Sequence, residues 1–117
     1  PGSTFWNDWA KYPFSSTNWN HRPFAVLVWG LAYRSGEAWN EMGWSNAEFD
    51  ALLAEANSIA DADKRREVAG KCQAIIAEEG CTIQPYWRSL YRSHSAKVDI
   101  DMHIAYHAHV YKWGFKA

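Results

Sequence analysis

Cysteine is scarce in this 117-residue chain, which carries only Cys72 and Cys81. Their spacing matches neither a Cys-x-x-Cys pair nor a zinc-ligand set. Two buried thiols are the simpler reading. The alternative is a bridge, formed if the helix bearing Cys72 packs back on the segment opened by Cys81. Net charge is also lacking. Twelve basic residues face thirteen acidic ones, which leaves no electrostatic footprint for nucleic acid or an anionic membrane surface. The seven glycines are scattered singly, so no backbone loop is available to cradle a phosphate. No Gly-x-Ser-x-Gly elbow frames a serine, and acid–base pairs at helical spacing read as ordinary surface; neither an enzyme nor a cofactor is expected. The longest apolar run, residues 24–32, falls far short of the roughly 20 residues of a membrane-spanning helix. No secretory signal opens the chain. It begins Pro1-Gly2-Ser3 without a methionine, so an excised or mature piece is expected.

Aromatics, by contrast, are abundant, with eight tryptophans and six tyrosines. A tryptophan offers a wide apolar face and one N–H donor, which suits ligand platforms as well as cores. A chain of this length is one domain or part of one. Its composition shifts near Ser95, from amphipathic segments to a histidine- and aromatic-rich tail with little periodicity. That is where a domain boundary is expected, giving residues 1–94 and 95–117.

Local signals predict alternating helices and strands. Ser3 or Thr4 caps a short helix that Pro13 ends near residue 12. Residues 14–19 read as a strand with alternate positions facing a core. Arg22, preceding a proline, is pushed out of the helical region and marks a turn. Pro23 opens a helix through about residue 33, apolar on nearly every side and therefore expected to be buried. Residues 35–43 are loop. Ser45 and Glu48 form a capping box at the start of a helix over about 45–60, with Phe49, Leu52, Leu53, Ala56 and Ile59 on one face. Asp61 or Asp63 starts a second long helix over 62–79, with Val68, Cys72, Ile75 and Ile76 inward and Gly80 as its stop. Lys64-Arg65-Arg66 is a solvated helical face. Residues 81–87 read as a strand bent at Pro85, which residues 90–93 extend or pair with, and residues 110–115 as a last strand. The fold class is α+β, two long helices packed on a small sheet.

Two polar, aromatic segments carry the chemistry: Thr17-Asn18-Trp19-Asn20-His21-Arg22-Pro23, and Ala32-Tyr33-Arg34-Ser35-Gly36-Glu37-Ala38-Trp39-Asn40-Glu41. Planar amides and guanidinium groups suit the rim of a ligand cleft, because in a core each unmade hydrogen bond costs about 1–3 kcal/mol. The ligand-binding candidates are Trp19, Asn20, His21, Arg22, Tyr33, Arg34, Trp39 and Asn40. Each has a plainer alternative. Trp19 could be core, and Arg22 could be a fork that holds its loop to backbone carbonyls or to Glu41. Trp6, Trp9 and Trp29 are most simply core. His103, His107 and His109 fall on one side of an extended segment, but a rise of about 3.3 Å per residue separates His103 from His107 by roughly 13 Å, too far to share one zinc ion without a bend. No metal site is expected.

The same segments resemble the C-terminal part of an extracellular solute-binding protein of the dipeptide/oligopeptide-binding family (family 5), which delivers solutes to ABC importers. The likeness rests on Phe5-Trp6-Asn7-Asp8-Trp9, Lys11-Tyr12-Pro13-Phe14, Trp19-Asn20-His21-Arg22-Pro23, Leu31-Ala32-Tyr33-Arg34-Ser35-Gly36, Trp39-Asn40-Glu41, Ser45-Asn46-Ala47-Glu48-Phe49-Asp50, Asp63-Lys64-Arg65-Arg66-Glu67 and Gln84-Pro85-Tyr86-Trp87-Arg88, in order. The resemblance implies a bilobed periplasmic-binding-protein-like (type II) fold that closes over a peptide-like or other small polar solute. It implies a membrane permease as partner, and a periplasmic or membrane-associated extracellular location. Residues 1–94 would belong to the second lobe, and residues 95–117 would return to the first. The chain would then be about the last fifth of a receptor, with a tail lacking its own lobe and inclined to self-association. Peptide-binding members carry an aspartate after a tryptophan such as Trp19; here Asn20, His21 and Arg22 follow, and a guanidinium favours an acceptor such as a carboxylate or phosphate. A free-standing aromatic-rich module binding peptide or sugar is the alternative, and a metal-dependent or hydrolytic enzyme a third reading.

Overall fold

The computed structural model describes residues 1–100 and 109–116. The chain divides into two units, Pro1–Ile83 and Gln84–Ala117.

The first unit is helical. Helix α1 (Gly2–Asp8) runs on into a 3₁₀ turn at Trp9–Lys11, and Tyr12 is extended ahead of Pro13. Neither Ser3 nor Thr4 caps α1; the Thr4 hydroxyl bonds back to the Pro1 carbonyl at 3.0 Å. Helix α2 (Ala25–Ala32) starts two residues later than Pro23, because Phe24 is extended. Helix α3 (Ala47–Ser58) is shorter than the predicted 45–60. Its cap is Asn46, whose side chain accepts the Phe49 N–H at 2.9 Å, while the Ser45 hydroxyl turns to Ser35. Asparagine caps at least as well as serine, so the capping box gives way to its neighbour. Helix α4 (Ala62–Glu79) has its predicted bounds. Asp61 accepts the N–H groups of Asp63 and Lys64 at 3.1 and 2.9 Å. At the other end Gly80 adopts φ +60°, a left-handed stop that costs glycine least.

The core lies where α2, α3 and α4 meet. Val26 and Trp29 pack against Phe49, Leu53 and Ala56 of α3 and Val68 and Cys72 of α4, with Leu52, Ile59, Ile75 and Ile76 around them. The predicted inward faces of both long helices are thus the observed ones. Phe49 is completely buried and meets the edges of Trp44 and Trp29 at centroid distances of 4.9 and 6.1 Å. Helix α2 departs from expectation. Only Val26, Trp29 and Ala32 are buried, whereas Phe24, Leu27 and Leu31 face outward, with the Arg65 guanidinium over the Phe24 ring. Both cysteines are free, and burial pushes each thiol above its ordinary pKa.

Neither residues 14–19 nor residues 81–87 form a strand, and residues 90–93 do not extend or pair with one. The alternation predicted for 14–19 is present: Ser15, Thr17 and Trp19 are half-buried, while Phe14, Ser16 and Asn18 are exposed. What is missing is a neighbouring backbone to pair with, since among the described residues no main-chain bond reaches this segment. Beyond Thr82 the other segment is exposed, and Pro85 withholds a ladder donor. The two long helices therefore pack on each other and on α2, not on a sheet.

The sheet belongs to the second unit. Strands β1 (Val98–Asp99) and β2 (Gly114–Phe115) pair antiparallel, Val98 opposite Phe115 and Asp99 opposite Gly114. A bond from the Lys116 N–H to the Lys97 carbonyl at 2.9 Å extends the ladder. Instead of a strand over 110–115, a 3₁₀ turn at Val110–Lys112 precedes β2. Just under half of the described residues are helical, beside one small antiparallel sheet, a loose form of α+β.

Candidate functional site

The loop between α2 and α3 is pinned at several points. Gly36 and Gly43 turn it with φ of +76° and +60°. Between them the Asn40 amide donates to the Trp44 carbonyl at 2.7 Å and to the Arg34 carbonyl at 3.1 Å, and its oxygen accepts the Trp44 N–H at 3.3 Å. The Ser35 N–H reaches Asp50 on α3 at 3.1 Å. Glu79, at the end of α4, takes the Trp44 indole N–H and the Asn46 amide. A segment with no regular structure is thus held to both long helices, and with it the positions of Trp39 and Glu41.

Glu41 is where the two polar segments meet. Its carboxylate accepts the Thr17 hydroxyl, 2.7 Å from both oxygens, and Oε1 also accepts the Trp19 indole N–H at 3.0 Å. These bonds replace the strand ladder that residues 14–19 lack. The Trp19 ring lies between Trp9 at 6.1 Å and Trp39 at 5.9 Å, inclined to them by 56° and 61°. From Trp9 the row continues through Trp6 and Phe5 to Tyr12. Trp6 is 59% exposed and Trp39 49%. No ion pair involves Glu41 among the described residues.

No family model, curated protein or solved structure matches this chain. The site is therefore read from its own geometry.

Of the eight candidates, Trp19 and Trp39 join this cluster. Asn20 and His21 are exposed on the adjoining turn, and the Arg22 guanidinium bonds their carbonyls at 3.4 and 3.3 Å, the backbone fork of the plainer alternative. Arg34 pairs with Glu37 on the surface. Tyr33 packs beside Phe49, and burial raises its hydroxyl pKa, opposed by a hydrogen bond with Thr82. Asn40 braces the loop. Thr17, Trp9 and Glu41 were not among the candidates; Trp9 lies in the row rather than the core, and Trp6 is exposed. The sequence signal for Glu41 was its place directly after Trp39-Asn40 in the second polar segment. Among the described residues no three His, Cys, Asp or Glu side chains gather to hold a metal; His103 and His107 lie outside those residues.

Proposed function

We propose that this chain is part of a solute-binding protein, contributing one wall of the second lobe's cleft, and that the full receptor captures a peptide-like or other small polar solute for an ABC importer's membrane permease. A periplasmic or membrane-associated extracellular location follows from that role. The supporting observation is the meeting of Thr17 and Trp19 with Glu41 beside Trp39. Two segments far apart in sequence, both quoted for the family resemblance, contribute to one aromatic, acidic, partly exposed surface. Flat rings with a few fixed polar groups are the usual lining of a small-molecule site.

One observation favours a second reading, a free-standing aromatic-rich binding module. The whole row from Tyr12 to Trp39 and the helical core both lie within Pro1–Ile83, so the surface is assembled by one unit. Uptake separates the two. A strain lacking the gene should lose import of a labelled solute that the purified full-length protein binds, and regain it on complementation. Binding with unaltered uptake would favour the module, and no binding of labelled peptides or amines would overturn both.

A further inference from the structure

We propose that Trp9, Trp19, Trp39 and Glu41 form a site for a quaternary ammonium group. The inference deepens the solute-capture reading and rests on it for its biological use, although the binding itself is a property of this chain. Three features select that chemistry. First, the ring centroids of Trp9 and Trp39 each lie about 6 Å from that of Trp19, at 6.1 and 5.9 Å, and the planes are steeply inclined. One cation can then lie within about 6 Å of two indole faces at once, the range in which the ring quadrupole attracts it, and tryptophan is the best of the aromatic partners. Second, the half-buried Glu41 carboxylate carries a negative charge that no cation among the described residues offsets. Its hydrogen-bond partners, the Thr17 hydroxyl and the Trp19 indole N–H, are both neutral.

The third feature discriminates among cations. The Glu41 carboxylate accepts two donors, the Thr17 hydroxyl shared between its oxygens and the Trp19 indole N–H at Oε1. A primary ammonium brings three N–H donors that need acceptors, and the indole rings that make up the rest of the site offer none. A quaternary ammonium brings none, needs only apolar faces and a compensating charge, and is the kind of ligand aromatic cages recognise. Trp39, half-exposed, leaves the corner open to solvent.

The test uses three small probes of similar shape on the 117-residue chain, measured by titration calorimetry. They are choline, its neutral twin 3,3-dimethylbutan-1-ol, and its primary-amine twin ethanolamine. The proposal expects saturable choline binding, with both twins at least about fivefold weaker, the scale of one cation–π contact. Glu41→Gln keeps the shape, one oxygen to accept the Trp19 N–H and an amide N–H to donate to the Thr17 oxygen, but removes the charge, and Trp39→Leu removes a wall at an exposed position. Each should weaken choline binding about fivefold or more with the melting temperature nearly unchanged. If Glu41→Gln unfolds the chain, Trp39→Leu carries the same readout. Absence of saturable choline binding overturns the site, and so does unchanged binding by both variants. Equal binding of ethanolamine would mean a direct ion pair, and equal binding of dimethylbutanol a merely apolar patch; either overturns the quaternary specificity. Refusal of choline by a receptor that binds peptides would sink this inference alone. Choline binding without any role in uptake would sink only the import reading.

Discussion

Replacing Asn40 by alanine separates a structural amide from a ligand contact. Asn40 makes two good donor bonds, 2.7 Å to the Trp44 carbonyl and 3.1 Å to the Arg34 carbonyl, and one longer acceptor bond of 3.3 Å from the Trp44 N–H. The approach of its amide to the Tyr33 carbonyl, 3.5 Å, is too long to count. Net worth of about 0.5–1.5 kcal/mol per bond gives roughly 1.5–4.5 kcal/mol for the three. The half-buried setting lets water replace part of this, which puts the expected loss near the lower end, about 2 kcal/mol. A unit of this size loses about 4–8 °C of melting temperature per kcal/mol, so a drop of about 8–16 °C is expected. Urea unfolding followed by circular dichroism should show a lower midpoint with an unchanged slope. Asn40→Asp should be at least as damaging, because it turns a carboxylate toward two carbonyl oxygens. Loss of less than about 0.5 kcal/mol together with weakened solute binding would refute the brace and make Asn40 a ligand contact.

Phe49→Ala removes a completely buried ring from among Trp29, Tyr33 and Trp44 and should cost about 3–5 kcal/mol; a loss under about 1 kcal/mol by chemical denaturation would mean that α3 does not pack as described. Burial raises the pKa of Cys72 and Tyr33 above their ordinary values, so the unfolded chain ionises first and stability falls as pH rises from about 8.5 upward. Denaturant midpoints that stay level across this range would contradict that sign. In the tail Tyr111 and Phe115 are 78% and 88% exposed, and light scattering at rising concentration should show self-association that a chain ending at His94 loses. A strictly monomeric chain, unchanged by the truncation, would contradict the expectation.

The helices were legible because their signals are local. Asp61 and Gly80 bound α4 through bonds to residues within one turn, and the inward faces of α3 and α4 follow from helical spacing alone. Strands were not legible, because alternation at residues 14–19 records which side chains turn inward and says nothing about a partner backbone. The same limit applies to α2, whose uniformly apolar sequence carries no sign of which side finds cover. In the site, density of aromatics and amides located the two segments, and Trp19 and Trp39 emerged from it. Their division of labour was hidden. Whether Glu41 rather than Arg22 lies beside the rings depends on a contact between residues more than twenty apart, and whether an amide such as Asn40 points at a ligand or at Trp44 depends on how the loop closes, which residue types alone do not fix.

Solute is expected to touch the wall formed by Trp9, Trp19, Trp39 and Glu41. Each of the eight tryptophans contributes one indole N–H resonance, which single Trp→Phe substitutions assign. Titration with choline and with a dipeptide, followed by ¹H–¹⁵N spectra, should move the signals of Trp9, Trp19 and Trp39. Trp29 in the core and Trp44 on Glu79 should stay still as internal controls. Shifts confined to Trp29, Trp44, Trp87 or Trp113, or no shift with either titrant, would contradict the account.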